Sequence, residues 1–424
     1  MTDSRFLERV FQAYYKEKKD IIPSVNLINQ REFGFIPWHK QIMIRHMAFQ
    51  DLISLRNYLV NNAPRHVYSS GSLYLSPGHS EMGQKEYQGC DLIIDIDVDH
   101  FYTACKDKHD LWYCQECYKS GKGMTKNCTK CSSLKIKKVS WFCEDCLEIA
   151  KKEIIRLIDD FLIPDFNIKT DEMHIAFSGH RGYHLKVENE KIRELLSDQR
   201  RELVDYFTGN NINFQILGFE ERGTNFFGFL NNNKDWSNKI NKKIQEILIK
   251  NTNEEIQDLL EKFGLNKNVI RSFNNSREYL LEIVENNYQN LWNIEGFGMN
   301  KWKKFLKGIV HEIGIEIDEP VTIDIHRLIR YPGSLHGKTG FKVQELSLDQ
   351  LSEFNPLNEN DDALNPIVFE SIKNKQKIEI TALEIPEMRI KGNSYGPYSK
   401  DETIEVANHI AILLLCRDVA KLKN

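Results

Sequence analysis

The chain has 424 residues, 41% of them hydrophobic and 28% charged, with a formal net charge of −4. That is an ordinary globular composition with room for one large core or two to three smaller ones, and it excludes a uniformly basic nucleic-acid binder; any basic surface must be local. No apolar run approaches the length of a membrane span, and the opening Met1-Thr2-Asp3-Ser4-Arg5 lacks the apolar centre of a signal peptide, so a cytoplasmic protein without membrane contact is expected.

Up to about residue 60 the pattern is largely helical. Thr2 or Asp3 can cap a helix whose apolar face runs Phe6, Leu7, Val10, Phe11, Tyr14, and Arg31 to Pro37 interrupts it as an extended segment. Residues 66–76 and 89–99 alternate as strands do. A cysteine- and lysine-rich insert occupies 105–146, helix returns over 147–155, and a strand from Met173 to Phe177 ends in a glycine-flanked turn. From 233 to 315 the chain turns polar and helical, with one apolar stripe of Ile240, Ile244, Ile247 and Leu248 and another of Leu280, Leu281 and Ile283. Strand-like sequence resumes at Val321–Ile325. Residues 351–395 are loop-rich, and Ile404, Ala407, Ala411, Leu414 and Leu415 mark an amphipathic C-terminal helix. The expected class is mixed α/β. A core of 1–232 plus 316–424 carries a central mixed sheet, a zinc-binding insert at 105–146 and a helical insert at 233–315.

Within the segment Leu92-Ile93-Ile94-Asp95-Ile96-Asp97-Val98-Asp99 the aspartates alternate with apolar residues. In a strand Asp95, Asp97 and Asp99 share one face while Ile94, Ile96 and Val98 pack the other. Carboxylates that close repel and raise one another's pKa. A hard divalent cation, Mg²⁺ or Mn²⁺, resolves the conflict. An exposed strand with acidic decoration is the plainer reading, but the apolar flanks fit a buried strand end.

Seven of the nine cysteines lie between Cys105 and Cys146. In a cytosolic chain, CxxC pairs read as zinc ligands rather than disulfides. Cys114-x₂-Cys117-x₁₀-Cys128-x₂-Cys131 has the form of a zinc ribbon, with Cys105-x₃-His109 before it and Cys143-x₂-Cys146 after it. Two nested four-ligand sites fit this spacing. So does the sequential pairing of Cys105, His109, Cys114 and Cys117 with Cys128, Cys131, Cys143 and Cys146. Closed sites of this kind are structural. Residues 101–142 also hold nine lysines against three acids, with Trp112, Tyr113, Tyr118 and Trp141 interspersed, a mixture suited to nucleic-acid backbone and bases or to a solvated surface.

Two loops are rich in hydrogen-bond donors. Ser178-Gly179-His180-Arg181-Gly182-Tyr183-His184 follows a strand, and Arg330-Tyr331-Pro332-Gly333-Ser334-Leu335-His336-Gly337-Lys338-Thr339-Gly340 repeats its chemistry. Glycines permit tight turns, and serine, arginine, histidine and lysine suit phosphate oxygens. Together with the acidic strand and Asp324 they form a set complementary to a metal-bridged triphosphate.

In this order the motifs resemble those of the archaeal and eukaryotic DNA primase small (catalytic) subunit, in wording closer to archaeal sequences. The resemblance runs from Arg31-Glu32-Phe33 and Ile44-Arg45 through Asp95-Ile96-Asp97, the cysteine segment and Ser178–His184 to Asp324 and Leu328–Gly340. It implies a primase-type catalytic core that makes short primers on single-stranded DNA from NTPs or dNTPs by two-metal nucleotidyl transfer. Asp95, Asp97 and Asp324 match the family's catalytic, metal-binding carboxylates for Mg²⁺ or Mn²⁺. Ser178, Arg181 and His184 match its triphosphate-binding loop, Arg330, His336 and Lys338 its second phosphate-binding loop, and Arg45 an arginine near the incoming nucleotide. Its zinc ligands match Cys105, His109, Cys143 and Cys146, which leaves Cys114, Cys117, Cys128 and Cys131 as an inserted second site. A heterodimer with an iron–sulfur large subunit is implied as well, with the helical insert and the zinc region as candidate contact surfaces. A two-metal nuclease and a non-catalytic zinc-bearing scaffold are the rival readings.

Overall fold

The computed structural model describes residues 2–40, 42–123, 125–229, 235–286, 291–370, 374–381 and 384–423. The chain forms two compact units. One comprises Met1–Ile155, Ile168–Arg200 and Ile317–Asn424, the other Arg156–Asn167 and Arg201–Glu316.

The first unit is built on two antiparallel sheets. In one, the strands run in the order Leu328–Arg330, His66–Tyr74, Arg31–Ile36, Ile44–Met47, and Tyr87–Cys90 also pairs with His66–Tyr74. In the other the order is Gln344–Leu346, Met173–Phe177, Gly182–Val187, Leu92–Asp97. The apolar flanks of the acidic segment do what the alternation predicts: Leu92, Ile94 and Ile96 are fully buried, whereas Asp95 and Asp97 remain partly accessible. The strand stops at Asp97, however. The His100 amide donates to the Asp97 carbonyl and closes a turn, so Asp99 leaves the strand and only two aspartates share its face.

Gly182 lies opposite Asp97 in the strand pairing, and a Cβ there would sit 2.2 Å from the Ile96 carbonyl oxygen. This close backbone approach requires glycine and holds the donor-rich turn against the end of the acidic strand.

Two expectations for the C-terminal part give way. Val321–Ile325 is not a strand: Glu319–Ile323 is a short helix with Pro320 in its first turn, where a fixed φ and a missing N–H are tolerated. Asp324 follows its last residue. Ile404 and Ala407 belong to a strand, Thr403–Ala407, and the helix that follows, Asn408–Cys416, is buried from His409 to Cys416. A helix apolar all round has no solvent face and belongs inside the core.

The cysteine-rich segment forms a three-stranded antiparallel sheet of Ser120–Lys122, Leu111–Cys114 and Ile136–Val139. The second unit holds the helices Trp236–Lys250, Asn253–Lys262, Lys267–Asn275, Arg277–Asn286 and Met299–Ile313. Ile240, Ile244, Ile247 and Leu248 are buried along the first of them, and Asp235 and Thr252 cap the first two. The unit begins earlier than residue 233 because Phe219 and Phe229 complete its aromatic core with Trp292 and Trp302. Among the described residues no helix is long and apolar enough to cross a membrane.

Gly182→Ala is expected to destabilise the protein by about 1–3 kcal/mol, the usual range for overpacking, because the obstacle is backbone rather than a movable side chain. Chemical denaturation of wild type and variant measures it.

Candidate active site and metal-binding clusters

Strand pairing sets His184 directly across from Asp95, with Nε2 3.4 Å from Oδ1. That oxygen is buried and has no hydrogen-bond partner. Burial, with Asp97 and Asp318 nearby, pushes the Asp95 pKa up to about 8 against the pull of Arg330 and Arg327. Asp97 is also raised, chiefly by burial. His184 is driven down to about 3 by burial and by Arg330, so it is a neutral imidazole rather than a counter-ion for Asp95. The strand end is therefore short of positive charge, the condition under which carboxylates take up a cation.

Asp97 and Asp99, with His180, bring ligand atoms within 4.8 Å of one another, a spacing that could hold a metal ion. Asp95 and Asp324 lie outside that set. Asp324 is exposed, and its Oδ1 accepts a hydrogen bond from the His326 amide at 2.9 Å. It ends the segment leading from the acidic strand, where the Asp318 amide donates to the Asp95 carbonyl at 2.8 Å, to the first sheet, where Ser72 Oγ donates to the Ile325 carbonyl. Asp318 is thus a third acid at the strand that sequence reasoning missed. No spacing motif singles it out.

The two donor-rich loops pack on each other. Thr339 Oγ1 donates to the Gly179 carbonyl at 2.6 Å, and His180 stacks on His336 with ring centroids 5.1 Å apart and planes 11° from parallel. Gly179 has φ +79°, and a Cβ on it would meet His336 at 2.8 Å. Arg330 reaches His66 Nδ1 at 2.8 Å and lies over the Tyr68 ring. Burial and the surrounding cations hold His66, His180 and His336 well below the ordinary histidine value. Ser178 is buried at the turn, and its Oγ accepts from the His180 amide. Lys338 is exposed at the rim. Arg45 is held by the buried Glu32 through Nε at 2.9 Å and donates to the His326 carbonyl at 3.1 Å, two residues beyond Asp324.

Arg181 has a different setting from its neighbours. It is 1% exposed, and its guanidinium is taken up by Asp110 at 2.9 Å, by Asp99 and by the Trp141 carbonyl. Asp110 also accepts from the Trp141 amide and sits 2.9 Å from His109 Nδ1. The His109 ring nitrogen on the other side faces Cys146 Sγ at 3.3 Å.

The cysteines gather in the nested arrangement. Cys105, His109, Cys143 and Cys146 form one cluster, and Cys114, Cys117, Cys128 and Cys131 the other, each with ligand atoms within 4.8 Å of one another. Both fit a tetrahedral N/S site for zinc, and Asp110 supplies the outer carboxylate that commonly orients a ligand histidine. Strand pairing decides between the two arrangements: Cys114 and Ile136 are directly opposed, which folds the ribbon onto itself and brings Cys114 Sγ within 3.5 Å of Cys131 Sγ.

The family model for the DNA primase small subunit matches residues 137–347. A DNA primase small subunit from Methanocella arvoryzae is 32% identical over 442 residues, spanning 98% of this chain and 97% of that protein. Another from Nitrosopumilus maritimus is 28% identical over 419 residues, 99% and 98% of the two chains. One from Thermoplasma volcanium is 31% identical over 86% of this chain and 83% of its own length. The chain belongs to the DNA primase small-subunit family.

Members of this family are primer-synthesising nucleotidyltransferases. The family-model match takes in both donor-rich loops and Asp324, and the full-length relatives extend the likeness across the acidic strand.

Two outcomes are expected. Asp110→Asn should weaken metal binding at the Cys105/His109/Cys143/Cys146 cluster by about 10–100-fold, read by competition with a chromophoric chelator, since an outer-sphere partner of a ligand histidine typically carries that much. Asp95→Asn should stabilise the metal-free protein, more at about pH 8.5 than at about pH 5. A raised carboxylate pKa destabilises the fold increasingly as pH rises from the unfolded-state value to the folded-state one, and the amide abolishes that term. Thermal melts at the two pH values check the sign.

Proposed function

We propose that the chain is the catalytic subunit of a DNA primase that joins nucleotides into short primers on a single-stranded DNA template. The observation that carries this reading is the Asp95 carboxylate, whose buried Oδ1 has no hydrogen-bond partner, beside Asp97 on a strand end flanked by two cation-bearing loops. Asp95, Asp97 and Asp324 are the residues assigned to hold Mg²⁺ or Mn²⁺. When bound, such ions lower the pKa of an attacking hydroxyl and neutralise phosphate charge. Ser178, His184, Arg330, His336 and Lys338 bind and orient the triphosphate for in-line attack, and Arg45 approaches the nucleotide. His184, held neutral, contributes an N–H without adding charge. Arg181 joins this set as the residue that holds Asp99 and the turn in place. Both cysteine clusters are assigned structural Zn²⁺. A larger partner subunit completes the enzyme in this proposal.

A two-metal hydrolase would use similar carboxylates but needs less grip on a triphosphate than two loops supply. Incubation with single-stranded template, nucleotides and Mn²⁺ separates the readings, since one yields strand growth and the other degradation. Asp95→Asn/Asp97→Asn should cut primer synthesis at least about a hundredfold, as several kcal/mol of charge stabilisation disappear. Equal product from wild type and variant would end the assignment.

A further inference from the structure

Beside the phosphate loops lies a cavity of about 500 Å³, of whose lining the reaction described above uses only Lys338. Its cations come from separate parts of the chain: Lys137 and Lys138 from the ribbon strand Ile136–Val139, Lys338 from the second loop, Arg65, and Lys400 and Arg417 from the C-terminal segment. Among the described residues Asp418 is the single acid lining it, and it is paired with Arg65 at 3.9 Å. Among the described residues, Lys137, Lys138, Lys338, Lys400 and Arg417 have no carboxylate partner. Arg417 is fixed rather than mobile. It lies over the Trp141 and Phe142 rings, donates to the Ser140 carbonyl and meets His180 Nε2 at 3.1 Å, while its own Nε is buried without a partner. Five cations without a salt bridge around one cavity make an anion site.

The lining also says what kind of anion. Tyr113 and Tyr118 stand in the wall, Tyr118 with 77% of its surface exposed and Lys137 beside the Tyr113 ring. Cations that track a phosphate backbone, interleaved with aromatic faces, are the usual means of holding single-stranded nucleic acid without sequence preference. The volume exceeds what a pyrophosphate needs and suits one or two nucleotides.

We propose that this cavity binds a short stretch of single-stranded nucleic acid, with Lys137, Lys138, Lys400 and Arg417 on its phosphates and Tyr113 or Tyr118 against a base. Identifying that strand as the template rests on the primer-synthesis reading; the site itself does not. Because Lys338 and His180, which stacks on His336, line it, the strand runs past the phosphate side of the nucleotide site.

The test compares two double charge reversals in the full chain. Lys137→Glu/Lys138→Glu changes the cavity, and Lys126→Glu/Lys130→Glu makes the same change in net charge at exposed ribbon positions outside it. Fluorescence anisotropy with a 20-mer of single-stranded DNA across a salt series reads the affinity. The cavity variant, and Lys400→Glu on a different segment, should bind at least about tenfold more weakly. For the double variant the slope of log K against log salt should fall by about 1.4, or 0.7 for each lost phosphate contact. Equal weakening by both double variants would overturn the proposal. So would an equal loss of affinity for free ATP, which would give the cavity to the nucleotide's own phosphates. A wild type that binds DNA in the cavity but makes no primers sinks the functional reading and leaves the site standing. A wild type that makes primers while the cavity variants bind normally does the reverse.

Discussion

Two carboxylates at the end of a half-buried strand, with too little positive charge to neutralise them, set the terms for the first unit. Ile94 and Ile96 fix the strand in the core, so Asp95 and Asp97 cannot turn away from each other and keep only partial access to water. Desolvation and their repulsion are costs that folding alone does not recover, which is why the Asp95 pKa is pushed up to about 8. The surrounding elements are arranged around that conflict. His184 across the strand stays neutral, the Asp318 segment adds another acid, and Arg330 and Arg327 supply partial relief.

Arg181 links this strand end to the cysteine clusters. One guanidinium joins Asp99, just past the acidic strand, to Asp110, which in turn orients His109 in the outer cluster. A buried arginine shared between two carboxylates is geometrically demanding, because its planar fork fixes both partners at once. The cysteine-rich segment is thereby anchored to the donor-rich turn Ser178–His184. Its distance from the carboxylates in sequence is no measure of its mechanical separation.

The parts of the site readable in advance are local ones. The Asp95/Asp97 alternation, the CxxC pairs and the glycine-punctuated donor loops each express their chemistry within a dozen residues, where strand or turn periodicity places the side chains. The failures are equally instructive. Val321, Ile323 and Ile325 alternate as a strand would, yet Pro320 starts a helix there. The spacing of the C-terminal residues fits an amphipathic stripe, whereas the helix is buried on every side. Asp99 matched the alternation but lies beyond a turn that the alternation does not register.

From its sequence alone this chain declares a mixed α/β class, an acidic strand, two four-ligand cysteine sets and two donor-rich loops, because each depends on spacing along the backbone. Which cysteines join which, the engagement of Arg181 by Asp99 and Asp110, the stacking of His180 on His336 and the cationic cavity beside them were decided by tertiary structure. These are contacts between residues tens to hundreds of positions apart. They come about only when strand register and loop packing bring those residues together, and no local pattern encodes that register.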